Sequence, residues 1–187
     1  SARRLKQYDI KTIPAIGSPD IFRTLQTIPG VSFTNEASSQ FNVRGGNPDQ
    51  NLVLLDGAVV YYPFHVFGFS SMFNVDYVDN MYFSLGGFSA QYGNRLSSVL
   101  SMQSKIPQKK FPHRINLNII GADITTGGKL GNKFGWVYSG KTSFLKLPNS
   151  ITFFDFPYDY YDSTLKLEFT PVENHTLEIM SLRTNDE

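Results

Sequence analysis

The sequence has no cysteine, so disulfides and thiolate metal sites are excluded, while the compartment stays open. It has no uninterrupted apolar run near the roughly 20 residues that a membrane-spanning helix needs. A β-barrel is not excluded, because tilted strands of about 9–11 residues each leave only a weak alternating signal. Net charge is almost absent, +1 at pH 7, so there is no electrostatic argument for nucleic acid or an acidic membrane surface as partner. Three histidines are present, without a second ligand at metal spacing. Enzyme constellations are missing too: no Gly-x-Ser-x-Gly elbow, no paired-His metal motif, no phosphate loop. Gly45-Gly46 lacks the Lys-Ser or Lys-Thr that a phosphate loop requires. No signal-peptide pattern is seen at Ser1, so a secreted protein would be met here in trimmed form. The expectation is a non-enzyme with no catalytic residues, no metal site and no cofactor.

What the chain does have is aromatic side chains, 14% of its residues. Its 187 residues suffice for one or two domains with real cores. A shift in composition at Lys105-Ile106-Pro107-Gln108-Lys109-Lys110 divides a mixed segment from a succession of short alternating strands, so domains are expected at 1–108 and 109–187. In the first, Ser18 reads as a helix N-cap and Pro19 as the first helical position. Ile21, Phe22, Leu25 and Ile28 recur at helical spacing, and Pro29-Gly30 ends the helix. Phe41 and Val43, then Leu52 and Leu54, alternate with opposite-facing residues on either side of a Gly-Gly-Asn-Pro-Asp turn, which reads as a hairpin-like unit. An aromatic loop over 61–69 follows. Strands are expected over 80–85 and 97–104, with a Gly86-Gly87 turn and Tyr92-Gly93-Asn94-Arg95 between them. Together these predict an α+β domain with a small mixed sheet and short helices.

Four pieces of wording stand in order at compatible spacing: LQTIPGV, FNVRGG, NLVLLDGAVV and VDNMYFSLGGFSAQYGNRLSSVLSMQSK. Each alone is commonplace. Jointly they resemble the plug domain of TonB-dependent outer-membrane transporters, in an RGGNPDQNLVLLDG form unlike the typical SusC-like glycan importer. The resemblance implies an outer-membrane location in a Gram-negative bacterium, and uptake of a scarce extracellular ligand such as a chelate, glycan or peptide. It implies a plug that gates the barrel lumen, driven by the TonB-ExbB-ExbD system through a segment near the N-terminus. Nothing in Ser1 to Asp9 matches the segment that TonB grips. Outer-membrane lipid is an implied partner, and a surface lipoprotein is a further candidate. Two other readings stay open: a plug-and-barrel subunit of a larger outer-membrane complex, and a soluble extracellular β-rich binding module.

The second segment alternates. Leu165, Leu167 and Phe169 oppose Thr164, Lys166, Glu168 and Thr170; Ile115, Leu117 and Ile119 oppose Asn116 and Asn118; Trp136 and Tyr138 oppose Ser139, Lys141 and Ser143. In a soluble sandwich the apolar set faces a core; in a membrane barrel it faces lipid. Alternation alone does not choose. About five strands are expected, near 113–121, 123–130, 134–144, 162–171 and 175–183. Tight turns at Gly131-Asn132-Lys133 and Val172-Glu173-Asn174-His175 contrast with a long aromatic loop over 145–161, the asymmetry of outer-membrane barrels. So few strands cannot close a barrel, which takes at least about eight and roughly 22 in plugged transporters. The expectation is an N-terminal piece of a larger protein.

By position in the family, the plug loops that meet ligand correspond to Thr34, Asn35, Glu36, Ser38 and Ser39, and to Tyr61, Tyr62, Phe64, His65 and Phe67. Aromatic side chains there could grip a ligand with little entropy loss, or equally pack the plug against a barrel wall. Arg44 and Arg95 are expected to tether the plug to acidic residues of the barrel, because a guanidinium in a partly desolvated lumen needs carboxylates. Asp56 is expected to shape a turn with Gly57. Asp155, Asp159 and Asp162 could be glycosidase carboxylates or calcium ligands, but a solvated loop is the plainer reading.

Overall fold

The run Asn51–Leu55 has no polar alternation, the pattern of a strand covered on both faces, and it is buried at every position. The computed structural model that places it describes residues 2–12, 19–33, 38–108, 112–144 and 159–186, with Phe67 by its backbone only. The chain divides into two units, Ser1–Ser104 and Lys105–Glu187.

The first unit runs β1 (Ala2–Lys6), α1 (Gln7–Lys11), α2 (Ile21–Leu25), β2 (Val31–Phe33), β3 (Phe41–Val43), β4 (Asn51–Leu55), β5 (Ala58–Val59), β6 (Phe64–His65), β7 (Ser70–Ser71), β8 (Val78–Leu85) and β9 (Ser98–Ser104). Its main sheet has the order β1-β8-β9-β4-β5. The central β4–β9 pair is parallel and the other pairs are antiparallel. This is the small mixed sheet with short helices that the sequence predicts.

The α2 helix begins two residues later than its Ser18-Pro19 signal implies. Its cap is Asp20, whose carboxylate accepts from the backbone N–H of Phe22 at 2.8 Å and of Arg23 at 3.3 Å. Its other oxygen accepts from Ser71 N–H at 3.0 Å, so one buried carboxylate both caps the helix and ties it to β7. Ser18 itself lies outside the described residues. The helix buries Ile21, Phe22 and Leu25 completely. Phe22 is the hub of an aromatic cluster, with ring centroids 5.5 Å from Phe41, 4.7 Å from Phe64 and 5.9 Å from Phe73. Phe41 meets Phe83 edge-on at 6.0 Å. Burying a Phe side chain stabilises by about 1.5–3 kcal/mol, so this cluster is a main source of the unit's stability.

The two strands around the Gly-Gly-Asn-Pro-Asp turn are not a hairpin. β3 pairs with β2, and β4 pairs with β5 and β9. The link turns sharply at Arg44 (φ 50°) and Gly45 (φ 80°) and then winds a 3-10 turn over Pro48–Gln50. It is longer than the two-residue loops that hold tight hairpins in register. A side-chain amide couples the strands instead: Asn51 donates to the Phe41 carbonyl at 2.8 Å. Gly46 has no room for a side chain, since a Cβ there would lie against Ser97 Oγ and 2.9 Å from Ser97 Cβ. Asp56 shapes its turn as expected. It sits at φ 48° before Gly57 at φ 86°, and its carboxylate accepts from Ser104 N–H at 2.9 Å and Ser104 O–H at 2.5 Å. The segment read as one aromatic loop contains β6, which pairs with β7 just beyond it, and a 3-10 turn at Val66–Gly68.

The second unit is a meander of β10 (His113–Asn118), β11 (Gly121–Leu130), β12 (Phe134–Ser143), β13 (Tyr160–Val172) and β14 (His175–Asp186), each strand antiparallel to the next. Four of the strands have 10 to 13 residues, enough to cross a bilayer at a tilt. β10 stops at Asn118, so Ile119 falls in a turn rather than on the strand face. The loop between β12 and β13 lies outside the described residues over 145–158, including Asp155.

The two faces of this sheet decide what alternation left open. On one face Asp123, Thr125, Ser139, Lys141, Ser143, Asp162, Thr164 and Lys166 are all buried. On the other, Leu117 is 76% exposed, Ile115 65%, Leu177 58% and Ile179 55%. Polar inside and apolar outside is the pattern of a membrane barrel wall. The polar face is internally paired: Lys141 stands directly across from Asp123 and from Asp162, and Lys166 reaches Glu178 at 3.3 Å. The fold is therefore an α+β unit followed by the antiparallel strands of an incomplete transmembrane β-barrel.

Candidate functional site

The first unit carries a cavity of about 330 Å³, lined among others by Gln40, Asp49, Asn51, Tyr61, Tyr62 and Arg95. Four separate pieces of chain build it, the entry into β3 supplying Gln40 and Phe41. The Pro48–Gln50 turn supplies Asp49. The stretch after β5 supplies the tyrosines, because Val60 N–H bonds back to the Val53 carbonyl at 2.9 Å and sends the chain across the start of β4. The segment before β9 supplies Arg95, fixed because Leu96 and Ser97 N–H both donate to the Gln50 carbonyl, at 3.2 and 3.1 Å.

Tyr61 and Tyr62 are 82% and 58% exposed, so their rings are surface groups. Arg95 lies with its guanidinium 5.5 Å from the Tyr61 ring centroid, a cation–π contact. Its Nη1 donates to the Asn94 carbonyl at 2.7 Å, while its Nε is sealed from solvent and has no acceptor among the described residues. The Tyr62 hydroxyl accepts from Gln40 Nε2 at 3.2 Å. The Asn51 amide is engaged on both sides, its carbonyl accepting from Ser98 Oγ at 2.8 Å. It is a wall, fixed in place.

The other expected site residues fall elsewhere. Phe64 belongs to the Phe22 cluster and stacks edge-on against Tyr62 at 5.9 Å, reaching the cavity only as its floor. His65 is 2% exposed in β6. Ser38 and Ser39 are buried, with Ser38 Oγ accepting from Gln40 N–H at 3.0 Å and Ser39 N–H bonded to the Gly68 carbonyl. Thr34, Asn35, Glu36 and the Phe67 side chain lie outside the described residues. Arg44 is exposed and lies over Gly30 and Gly86. Among the described residues neither Arg44 nor Arg95 forms an ion pair. Sequence reasoning missed Gln40, Asp49 and Asn51 as cavity walls. Their only signal was proximity to the Gly-Gly-Asn-Pro-Asp turn. Asp162 belongs to the buried polar face beside Lys141, and Asp159 accepts from Ser143 Oγ at 3.0 Å.

Comparison with known proteins agrees with this architecture. The family model described as the TonB-dependent receptor plug domain matches residues 2–98. Among solved structures, a mutant of the ferric enterobactin receptor from Pseudomonas aeruginosa, in complex with enterobactin, is 18% identical with a TM-score of 0.65, over 99% of this chain and 33% of that one. The ferric citrate transporter FecA in its unliganded form is 18% identical with a TM-score of 0.67, over 100% and 31%. The FrpB iron transporter from Neisseria meningitidis is 15% identical with a TM-score of 0.67, over 98% and 31%. The chain thus spans about a third of the length of these structures. No curated protein sequence matches it.

Proposed function

This chain belongs to the TonB-dependent receptor plug family, and on that premise we propose that it is the plug and the first wall strands of an outer-membrane receptor that imports a scarce extracellular ligand. Residues 1–108 serve as the plug and 109–187 as the opening of a barrel of roughly 22 strands. The observation that carries this reading is the inverted sheet. A face with Asp123, Lys141, Asp162 and Lys166 is buried while the Ile115, Leu117, Leu177 and Ile179 face is exposed. In water that arrangement would put a contiguous apolar surface where soluble proteins avoid one. In a bilayer it places the apolar side chains against lipid and the charges toward an aqueous lumen. The soluble binding module is disfavoured on the same ground.

Ligand enters from outside and meets exposed plug side chains, with Tyr61 and Tyr62 the most accessible aromatic pair. TonB, with ExbB and ExbD, supplies the pull that rearranges the plug, and no covalent chemistry is required. Arg44, exposed and without an ion pair among the described residues, is the group we assign to a tether on an acidic barrel residue. The location is the outer membrane of a Gram-negative bacterium.

The lipid-facing assignment is tested with single cysteines at Leu177 and at its neighbour Glu178 in the full-length protein, each labelled with bimane and reconstituted in brominated lipid. Quenching at 177 and not at 178 is expected; equal quenching at both removes the barrel assignment. The importer reading is tested separately by uptake in cells lacking TonB, where unchanged uptake would sink it.

A further inference from the structure

On the polar face of the wall, β11 and β12 carry one apolar side chain larger than glycine, Val137, and it is 1% exposed. Val137 stands opposite Gly127, while Gly135, two residues earlier, stands opposite Lys129. The two glycines therefore flank Val137 on one face. A glycine inside a strand marks a bulge, a bend or a close approach of other atoms. The β11–β12 ladder keeps one register from Gly121 with Ser143 to Leu130 with Phe134, so no bulge explains them.

The close approach is visible. A Cβ on Gly135 would lie 2.9 Å from Ile106 Cγ2 and 3.2 Å from Ile106 Cδ1, and one on Gly127 would lie 3.0 Å from Pro107 Cδ. Ile106 is 6% exposed. The two residues after Lys105 are thus seated, side chains inward, in a notch made by two missing side chains. The seat lies wholly within the second unit, which begins at Lys105. Only Lys105 separates it from Ser104, the last residue of β9. β9 is an interior strand of its sheet, paired with β8 on one side and β4 on the other. Unseating Ile106 would uncover its side chain and Val137 to an aqueous lumen, which is unfavourable in proportion to the apolar area exposed. Pro107 has a fixed φ, so the chain is stiff at the seat.

Resting on the receptor reading above, we propose that Ile106-Pro107 is a fixed anchor of the plug: it stays seated in the Gly127–Gly135 notch while the plug rearranges, so that strain drawn through β9 ends at the wall. The competing behaviour is a linker that unseats together with the plug, and the test separates the two.

The probe is a small water-soluble maleimide, applied to cells that carry the full-length protein with Ile106→Cys as its one cysteine. The thiol should react roughly tenfold or more slowly than in the urea-unfolded protein, and at the same rate in cells with and without TonB. Gly135→Val fills the notch. In a protein that still folds, read as a barrel that resists SDS until heated, it should speed labelling at least tenfold. Gly135→Ala, whose Cβ crowds Ile106, is the milder second variant, and a several-fold rise is expected. Ile106→Cys combined with Gly135→Cys puts two thiols within bridging reach, and mild oxidation of energised cells should join them. Faster labelling with TonB than without it overturns the anchor. Fast labelling of the resting protein does so too, as do failure of the double variant to cross-link and notch variants that fold and label like the parent. The uptake measurement that tests the importer reading is made on the same cells. Uptake that needs TonB, with the thiol exposed only when TonB is present, removes the anchor alone. Uptake independent of TonB, with the thiol protected in its absence, removes the importer reading and leaves the seat standing.

Discussion

In the first unit Phe22, Phe41 and Phe83 are at most 2% exposed, whereas in the second Ile115 and Leu117 are 65% and 76% exposed and the buried side chains include Asp123, Lys141, Asp162 and Lys166. Both units are built largely of strands, and both use alternation. They differ in which phase of the alternation turns inward. The first unit is organised by apolar burial, with a hub of phenylalanines around α2. The second is organised by its backbone ladder and by a polar face on which acids and lysines stand opposite one another. A plug has to be stable as a small body in a wet surrounding, and a wall has to be stable with its apolar side in lipid.

The largest expected effect tests the first half of the contrast. Phe22→Ala removes the ring that contacts Phe41, Phe64 and Phe73. A loss of about 3–5 kcal/mol is expected from a truncation of this kind in a packed core. Limited proteolysis of the full-length protein should cut residues 2–104 first and leave the wall strands protected. Equal resistance in variant and parent would show that the cluster is not what holds the plug together.

Next comes the opposite phase. Leu165 lies on the apolar face of β13 midway between Tyr161 and Phe169, which are about 26 Å apart along the strand at roughly 3.3 Å per residue. Leu165→Arg therefore puts a charge near the middle of the apolar band, at a cost of about 2–4 kcal/mol. Thr164→Arg, one residue away on the buried polar face, lies outside that rule and should not show the same dependence on lipid. Guanidinium unfolding in liposomes and in short-chain detergent micelles separates the two, since only the first penalty depends on the bilayer.

A smaller effect is expected at the helix cap. Asp20→Asn keeps an acceptor for the α2 backbone, whereas Asp20→Ala also orphans the Ser71 N–H that bonds to it at 3.0 Å. Asp20→Ala should cost about 1–3 kcal/mol and Asp20→Asn distinctly less. Hydrogen exchange at Phe22 and Ser71 reads both ends of the contact. If Ser71 stays protected in Asp20→Ala, the carboxylate is a cap only.

These contrasts also show what a sequence can and cannot carry. Helical spacing from Ile21 to Ile28 is local, so the buried face of α2 was legible, while its true cap was not: Asp20 is chosen by its bond to Ser71, about fifty residues away in the chain. The alternation of β13 was legible but symmetric under exchange of its faces. Only burial distinguishes a core-facing Leu165 from a lipid-facing one. The hairpin expected at Arg44 to Gln50 failed because a glycine-rich turn signals reversal without naming the strand to be paired. The cavity was half legible. Tyr61 and Tyr62 stood out as aromatic residues after a strand, but the contact of Arg95 with Tyr61 was not legible, because it exists only once β4 and β9 lie side by side.

The smallest effect expected bears on how the wall tolerates its buried charge. Lys166 is 7% exposed and lies 3.3 Å from Glu178, whose side chain is 51% exposed. Glu178 is therefore solvated, and a pair of this kind contributes about 0–1 kcal/mol. Glu178→Gln should change stability by less than about 1 kcal/mol, and the difference should shrink in high salt. Lys166→Met should act through the whole polar face instead, because its neighbours were arranged around a cation. A Glu178→Gln loss as large as that of Phe22→Ala would mean that single ion pairs hold the wall, and the contrast between an apolar plug core and a polar wall face held by many small contacts would fail.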